Sequence, residues 1–204
     1  MAREVTLVDA GLGNLGSVER ALLQVGAAVH VTSDSDRVAA ARMVVFPGQG
    51  AFSAATDAVV DGAMGAALRM VIERGDPFLG ICLGMQLMFD RSEENHGHEG
   101  LHVLPGLCKR FPQSTGSDAT LPRVKIPHMG WNDVQPANEH YYFVHSYYVD
   151  AERAEDVMWT ASHGEVRFAA AVKRDNVLGC QFHPEKSQRA GLKFLRAFLL
   201  GGWT

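Results

Sequence analysis

Along the first half of the chain, apolar positions switch between a period of two and a helical period. Val5 to Val8 is a β-branched run, Val18 to Val25 has helical spacing, and Ala28 to Thr32 returns to strand character. Met43 to Phe46 is an apolar strand stopped by Pro47 and Gly48. Helical spacing then runs from Asp57 to Arg74, Phe78 to Ile81 reads as a strand, and a helix opens at Cys82. Such alternation predicts a central, mostly parallel sheet flanked by helices, an α/β fold. Beyond Leu104 the pattern changes to strands separated by turns: Leu104 to Phe111, Trp131 to Val134, Tyr141 to Val149, Val157 to Ser162, Val166 to Lys173 and Val177 to Phe182. These predict an antiparallel or mixed extension of the sheet. The chain closes with an amphipathic helix over Ala190 to Leu200, with Leu192, Leu195, Phe198 and Leu199 on one face. No linker, internal repeat or low-complexity tract interrupts the pattern, so residues 1–204 read as one domain.

Composition narrows the function. With 204 residues, 47% of them hydrophobic, the chain can bury a substantial core without disulfides or metal. A formal charge of −4 and a pI near 6.1 give no argument for nucleic acid, and no basic run suggests a membrane patch. No segment approaches membrane-spanning length, and the start, MAREVTLVDA, reads as a strand rather than a signal peptide. A cytoplasmic protein is expected. The three cysteines, Cys82, Cys108 and Cys180, are a sparse, odd set that fits a reducing compartment.

The chemistry concentrates in two stretches. In Phe78 to Gln86, FLGICLGMQ, glycines stand two positions either side of Cys82, as a strand that turns abruptly into a helix requires. The thiol is thereby placed at a helix start, where backbone dipoles favour the reactive thiolate. Cys108 and Cys180 read as inert packing residues. Val177 to Glu185, VLGCQFHPE, ends in His183, Pro184 and Glu185. On an extended backbone residues two apart project the same way, so Glu185 can hold one imidazole nitrogen of His183 while the other faces a thiol. A Cys82-His183-Glu185 triad follows.

The GxCxGxQ elbow followed by HPE resembles the class I (triad) glutamine amidotransferases over nearly the whole chain. Ile126 to Val134, IPHMGWNDV, and Tyr142 to Val149, YFVHSYYV, are similar to one subfamily, the glutaminase subunits of imidazole glycerol phosphate synthases. Val8 to Val18 and Phe46 to Phe52 carry the same likeness. The resemblance implies a flavodoxin-like fold, glutamine as substrate, and no cofactor or metal. It also implies a (β/α)8-barrel cyclase as heterodimeric partner, supplied with the ammonia released. Cys82 would form a thioester with glutamine, and His183 would protonate the departing ammonia and then activate water. The N–H of Leu83 would be one oxyanion donor, with the second from Gln49 or Gly50. Gln86, one turn beyond Cys82, and Ser146 and Tyr147, in the HSYY stretch, would contact the substrate. Gln49 stands where the subfamily more often has an apolar residue, and Ala10 where an aromatic residue is common.

Other readings compete. Gly11, Gly13 and Gly16 form GxGxxG between a strand and a helix, with Asp34 near the end of the next strand, the pattern of a dinucleotide site. A glutaminase could also serve another synthase, such as anthranilate synthase or the pyridoxal phosphate synthase complex. His96, His98, Glu99 and His102 could be imagined around zinc, but they lack a cysteine pair and read as a solvated loop. His128 and His145 are expected to be structural or partner-facing, and the aromatic group Tyr141, Tyr142, Phe143, Tyr147 and Tyr148 to serve core and strand packing.

Overall fold

The computed structural model describes residues 2–13, 15–112 and 125–203. Asn14, part of the resemblance at the N-terminus, lies outside them. Strands β1 (Arg3–Val8), β2 (Ala27–Thr32), β3 (Val44–Gly48) and β4 (Phe78–Cys82) are joined through helices α1 (Leu15–Gln24), α2 (Ser35–Ala40), α3 (Phe52–Ala55) and α4 (Ala63–Glu73). After the short α5 (Leu83–Gln86) come β5 (Phe89–Ser92), β6 (His98–Glu99), β7 (Leu104–Arg110), β8 (His128–Val134), β9 (Glu139–His145) and β10 (Tyr147–Ala151). Strands β11 (Val157–His163), β12 (Val166–Arg174) and β13 (Val177–Cys180) lead to α6 (Gln188–Leu200).

Among the described residues the main sheet has seven strands in the order β11-β12-β13-β4-β3-β1-β2. Pairing is parallel from β13 across to β2, and antiparallel between β11, β12 and β13. The expected parallel sheet with an antiparallel extension is therefore present. Every residue of β4 is buried, as in a strand covered on both faces. Strand periodicity sorts the core: in β3, Val44 and Phe46 enter the layer containing Leu68 and Met85, and Val45 enters the layer containing Leu22, Leu195 and Phe198. Helix α6 contributes Phe194, Leu195, Phe198 and Leu199 to that second layer and stops at Gly201, whose left-handed φ of 73° closes the last turn. A four-stranded sheet, β10-β7-β5-β6, and the β8–β9 hairpin stand beside the main sheet.

Three expected elements differ. The helix from Asp57 to Arg74 is broken: Thr56–Val60 winds as a π-helical turn, and α4 restarts at Ala63 with Gly62 as its N-cap. Asp61-Gly62 is a turn dipeptide, and Gly65 lies so close to the π turn that a Cβ there would stand 2.4 Å from the Val60 carbonyl oxygen. The strand from Tyr141 to Val149 is divided at Ser146, with β9 pairing to β8 and β10 to β7. Finally, the helix opened by Cys82 is a single turn of four residues.

Candidate active site

The C-terminal ends of adjacent parallel strands bring the site together. Strand β3 pairs with β4 so that Gly48 lies opposite Cys82, and β13 pairs with β4 on its other side. Cys82 has φ 54° and ψ −109°, a conformation that costs a non-glycine residue on the order of 1–3 kcal/mol. The flanking glycines are required by space. A Cβ on Gly84 would sit 1.9 Å from the Phe46 carbonyl oxygen, and one on Gly80 would sit 2.7 Å from the Gly84 carbonyl oxygen. This is the elbow read from the sequence.

His183 and Glu185 meet, though not along an extended strand. Strand β13 ends at Cys180, and Pro184–Lys186 forms a 3-10 turn capped by His183. Pro184 has no N–H to continue a ladder, so the chain curls and brings Glu185 Oε1 to 2.8 Å from His183 Nδ1. Ser187 braces the turn, its hydroxyl donating to the His183 carbonyl at 2.6 Å and accepting from the Tyr142 N–H at 2.9 Å. The His183 N–H also donates to the Tyr142 carbonyl at 2.9 Å. Both side chains of the pair are almost wholly enclosed, and His183 Nε2 and Glu185 Oε2 make no hydrogen bond among the described residues. Burial pushes the imidazole pKa down, but the Cys82 sulfur and the Glu185 carboxylate more than offset it and hold His183 up to about 10.

Cys82 and His183 line a cavity of about 360 Å³ together with Gln49, Gly50, Leu83, Gln86, Ser146 and Tyr147. Every residue expected to contact substrate or oxyanion thus borders one space, with Glu185 behind His183. The division of the predicted Tyr141–Val149 strand at Ser146 forms one wall. The two candidates for the second oxyanion donor are distinguished by bonding: the Gln49 N–H donates to the Leu12 carbonyl at 2.7 Å, away from the cavity. Gly50 has φ 100°, within the left-handed region that glycine tolerates.

Two lining or neighbouring side chains were not singled out in the sequence. Glu94 lines the cavity, and its carboxylate accepts from the Phe52 N–H at the start of α3. It arrives from a loop 42 residues distant in sequence, which no local pattern reveals. Gln181 is wholly buried, with Nε2 3.6 Å from Cys82 Sγ and Oε1 accepting from Gln86 Nε2 at 2.9 Å. Its place two residues before His183 was the available clue.

The remaining motifs serve the fold. Asp34 caps α2 by accepting from the N–H groups of Asp36 and Arg37, and the Leu12 carbonyl of the glycine-rich loop holds Gln49. His102 pairs with Asp90 and Glu99 at the surface, and no three potential metal ligands converge among the described residues. His128 and His145 are buried, and His145 also lines the cavity. His145 Nδ1 donates to the Tyr147 carbonyl at 2.8 Å, so Nε2 accepts from His128 Nδ1 at 2.9 Å. His128 Nε2 in turn accepts from Asn132 Nδ2 at 3.0 Å. Burial lowers His128 to about 4 and His145 to about 3. Burial raises the Cys108 and Cys180 thiols well above their ordinary range, as inert packing residues require.

With this fold and elbow, the chain belongs to the class-I glutamine amidotransferases, whose family profile (Glutamine amidotransferase class-I) matches residues 6–201. The imidazole glycerol phosphate synthase subunit HisH of Salinibacter ruber is 46% identical, with 95% of this chain and 92% of that protein covered. HisH of Syntrophotalea carbinolica is 44% identical over 95% of this chain and 98% of that protein. Among solved structures, a glutamine amidotransferase crystal structure superposes with a TM-score of 0.70 at 18% identity, covering 96% and 98% of the two chains. At that identity it speaks for the fold alone.

Proposed function

We propose that the chain, as one domain over residues 1–204, is the glutaminase subunit of an imidazole glycerol phosphate synthase. It hydrolyses glutamine to glutamate and supplies ammonia to a (β/α)8-barrel cyclase partner for histidine biosynthesis. The observation carrying this reading is the His183–Glu185 contact of 2.8 Å behind a cysteine on a strained elbow, all around one cavity. The HisH relatives, matched over nearly their full length, support the synthase assignment.

The Cys82 thiolate attacks the glutamine side-chain carbonyl carbon, forming a C–S bond and moving an electron pair onto the oxygen. The Leu83 N–H, with Gly50 or a reoriented Gln49 as second donor, stabilises that oxyanion. His183, protonated at neutral pH by its raised pKa, gives its Nε2 proton to the nitrogen. Ammonia leaves and a thioester remains. Neutral His183 then takes a proton from water, whose oxygen attacks the thioester; the C–S bond breaks, glutamate departs, and the thiolate returns. Glu185 holds the imidazole tautomer and its positive form. The Glu94 carboxylate, which lines the same cavity, suits the ammonium of an amino acid. Ser146 and Tyr147 line the wall, and Gln86, with Nε2 engaged by Tyr147 and Gln181, offers its carbonyl oxygen.

The test is glutamate release when the chain is mixed with an imidazole glycerol phosphate synthase cyclase subunit, the cyclase substrate and glutamine. No release above that of the Cys82→Ala variant would overturn the proposal.

A further inference from the structure

The single turn of α5 gives Cys82 little dipole support, because a macrodipole needs several aligned peptides. Cys82 is nevertheless buried, at 6% exposure of the residue, where a charge requires partners. The groups around it are His183 backed by Glu185, the neutral thiol of Cys180, the neutral imidazole of His145, and Glu94, which lines the same cavity. Of these, His183 alone is cationic, while Glu94 and Glu185 oppose a second negative charge. Gln181 adds the missing neutral donor.

We infer that Gln181 is a fourth catalytic side chain, donating its amide N–H to the Cys82 sulfur and holding it as thiolate. The inference rests on the assignment of Cys82 as nucleophile. Orientation of the amide follows from its neighbours. The Tyr147 carbonyl can only accept, so the side of Gln86 facing it at 3.0 Å is the NH₂ group. The same Nε2 stands 2.9 Å from Gln181, which must therefore present its oxygen there and turn its own NH₂ toward the sulfur. A chain of fixed polarity runs from a backbone carbonyl to the nucleophile. It acts twice: it favours the thiolate before attack, and it receives the charge again when water breaks the C–S bond and the sulfur departs.

The experiment is alkylation of Cys82 by iodoacetamide as a function of pH, followed at the Cys82 peptide by mass spectrometry, with and without the cyclase. A hydrogen bond to a charged group corresponds to about one pH unit, so Gln181→Met should move the half-reactive pH up by about that much. Below the midpoint its alkylation should slow roughly tenfold. Gln181→Glu, the same shape with a carboxylate, should move it further. An unmoved or lowered midpoint in folded Gln181→Met overturns the inference, because a purely structural role would leave the profile in place. If circular dichroism shows that variant unfolded, Gln86→Met, which removes the group orienting Gln181, must give a smaller upward move, and no move there overturns it equally. Cys82→Ala separates the two ideas. Retained glutamate release by Cys82→Ala in the complex removes Cys82 as nucleophile, whereas lost release there together with an unmoved profile in Gln181→Met removes Gln181 alone.

Discussion

The backbone N–H of Gln49 is bonded to the carbonyl of Leu12 at 2.7 Å, so the turn beside Cys82 directs one of its donors away from the cavity. Completing an oxyanion hole from that donor requires the bond to break and the peptide to turn.

The isolated chain should therefore be nearly silent and gain activity, mainly in kcat, when the cyclase and its nucleotide substrate bind. Gly50→Val should blunt this gain without unfolding the protein. The space around a Gly50 Cβ is open, but φ 100° is strained for a branched residue. Glutamate release by the chain alone, set against release by the liganded complex, checks both expectations; equal turnover would refute the coupling.

Cys82→Ala should lower glutamine hydrolysis by roughly three orders of magnitude or more while ammonia-driven synthesis by the complex survives. Cys108→Ala and Cys180→Ala should keep hydrolysis, because both thiols are buried and held protonated. Loss of hydrolysis in either of the latter would move the nucleophile elsewhere.

His183 held near pKa 10 sets the alkaline limb. As pH rises through that value the imidazolium loses the proton that ammonia needs, and the rate should fall. Glu185→Gln should bring the limb to lower pH, since the carboxylate helps hold the charge, and should cost less rate than His183→Asn. A limb indifferent to Glu185 would remove that residue from the mechanism.

The buried His128–His145 pair should make folding stability acid-sensitive. Both folded-state pKa values, about 4 and about 3, lie below the usual 6.5, so the unfolded chain takes up protons first as pH falls. The pair's contribution is complete above about pH 6.5 and should drop by about 2–4 kcal/mol at pH 5. His183 does not offset this, because its raised pKa contributes stability that is constant below pH 6.5 and lost only as pH rises toward about 10. Urea midpoints from pH 7.5 to 5 provide the measurement. A double variant with glutamine at both positions should give a flatter profile, and an equally steep one would refute the assignment.

The turn at Cys82 and the His183–Glu185 contact were legible because each sits beside a residue with a steric signature: glycines around Cys82, proline between His183 and Glu185. The sheet was legible for a similar reason, since each parallel strand is an apolar run ended by a turn. What escaped depended on meetings across the chain. The division at Ser146 follows from hydrogen bonds made to Gln86 and Phe111, not from any break in the apolar pattern. The Asp57–Arg74 pattern continues through Asp61-Gly62, yet packing against Gly65 winds it differently. Glu94 and Gln181 gain meaning only from groups 42 and 99 positions away.

The left-handed backbone at Cys82 sets folding against chemistry at a single position. Glycine would adopt that conformation without strain, and the 6% exposed side chain has little bulk to lose. A protein chosen only for thermal endurance would do well to give the thiol up. With Cys82 as the proposed nucleophile, thermostabilisation screens that read melting temperature alone should be drawn toward inactive sequences at this residue, and need an activity readout to stay on course.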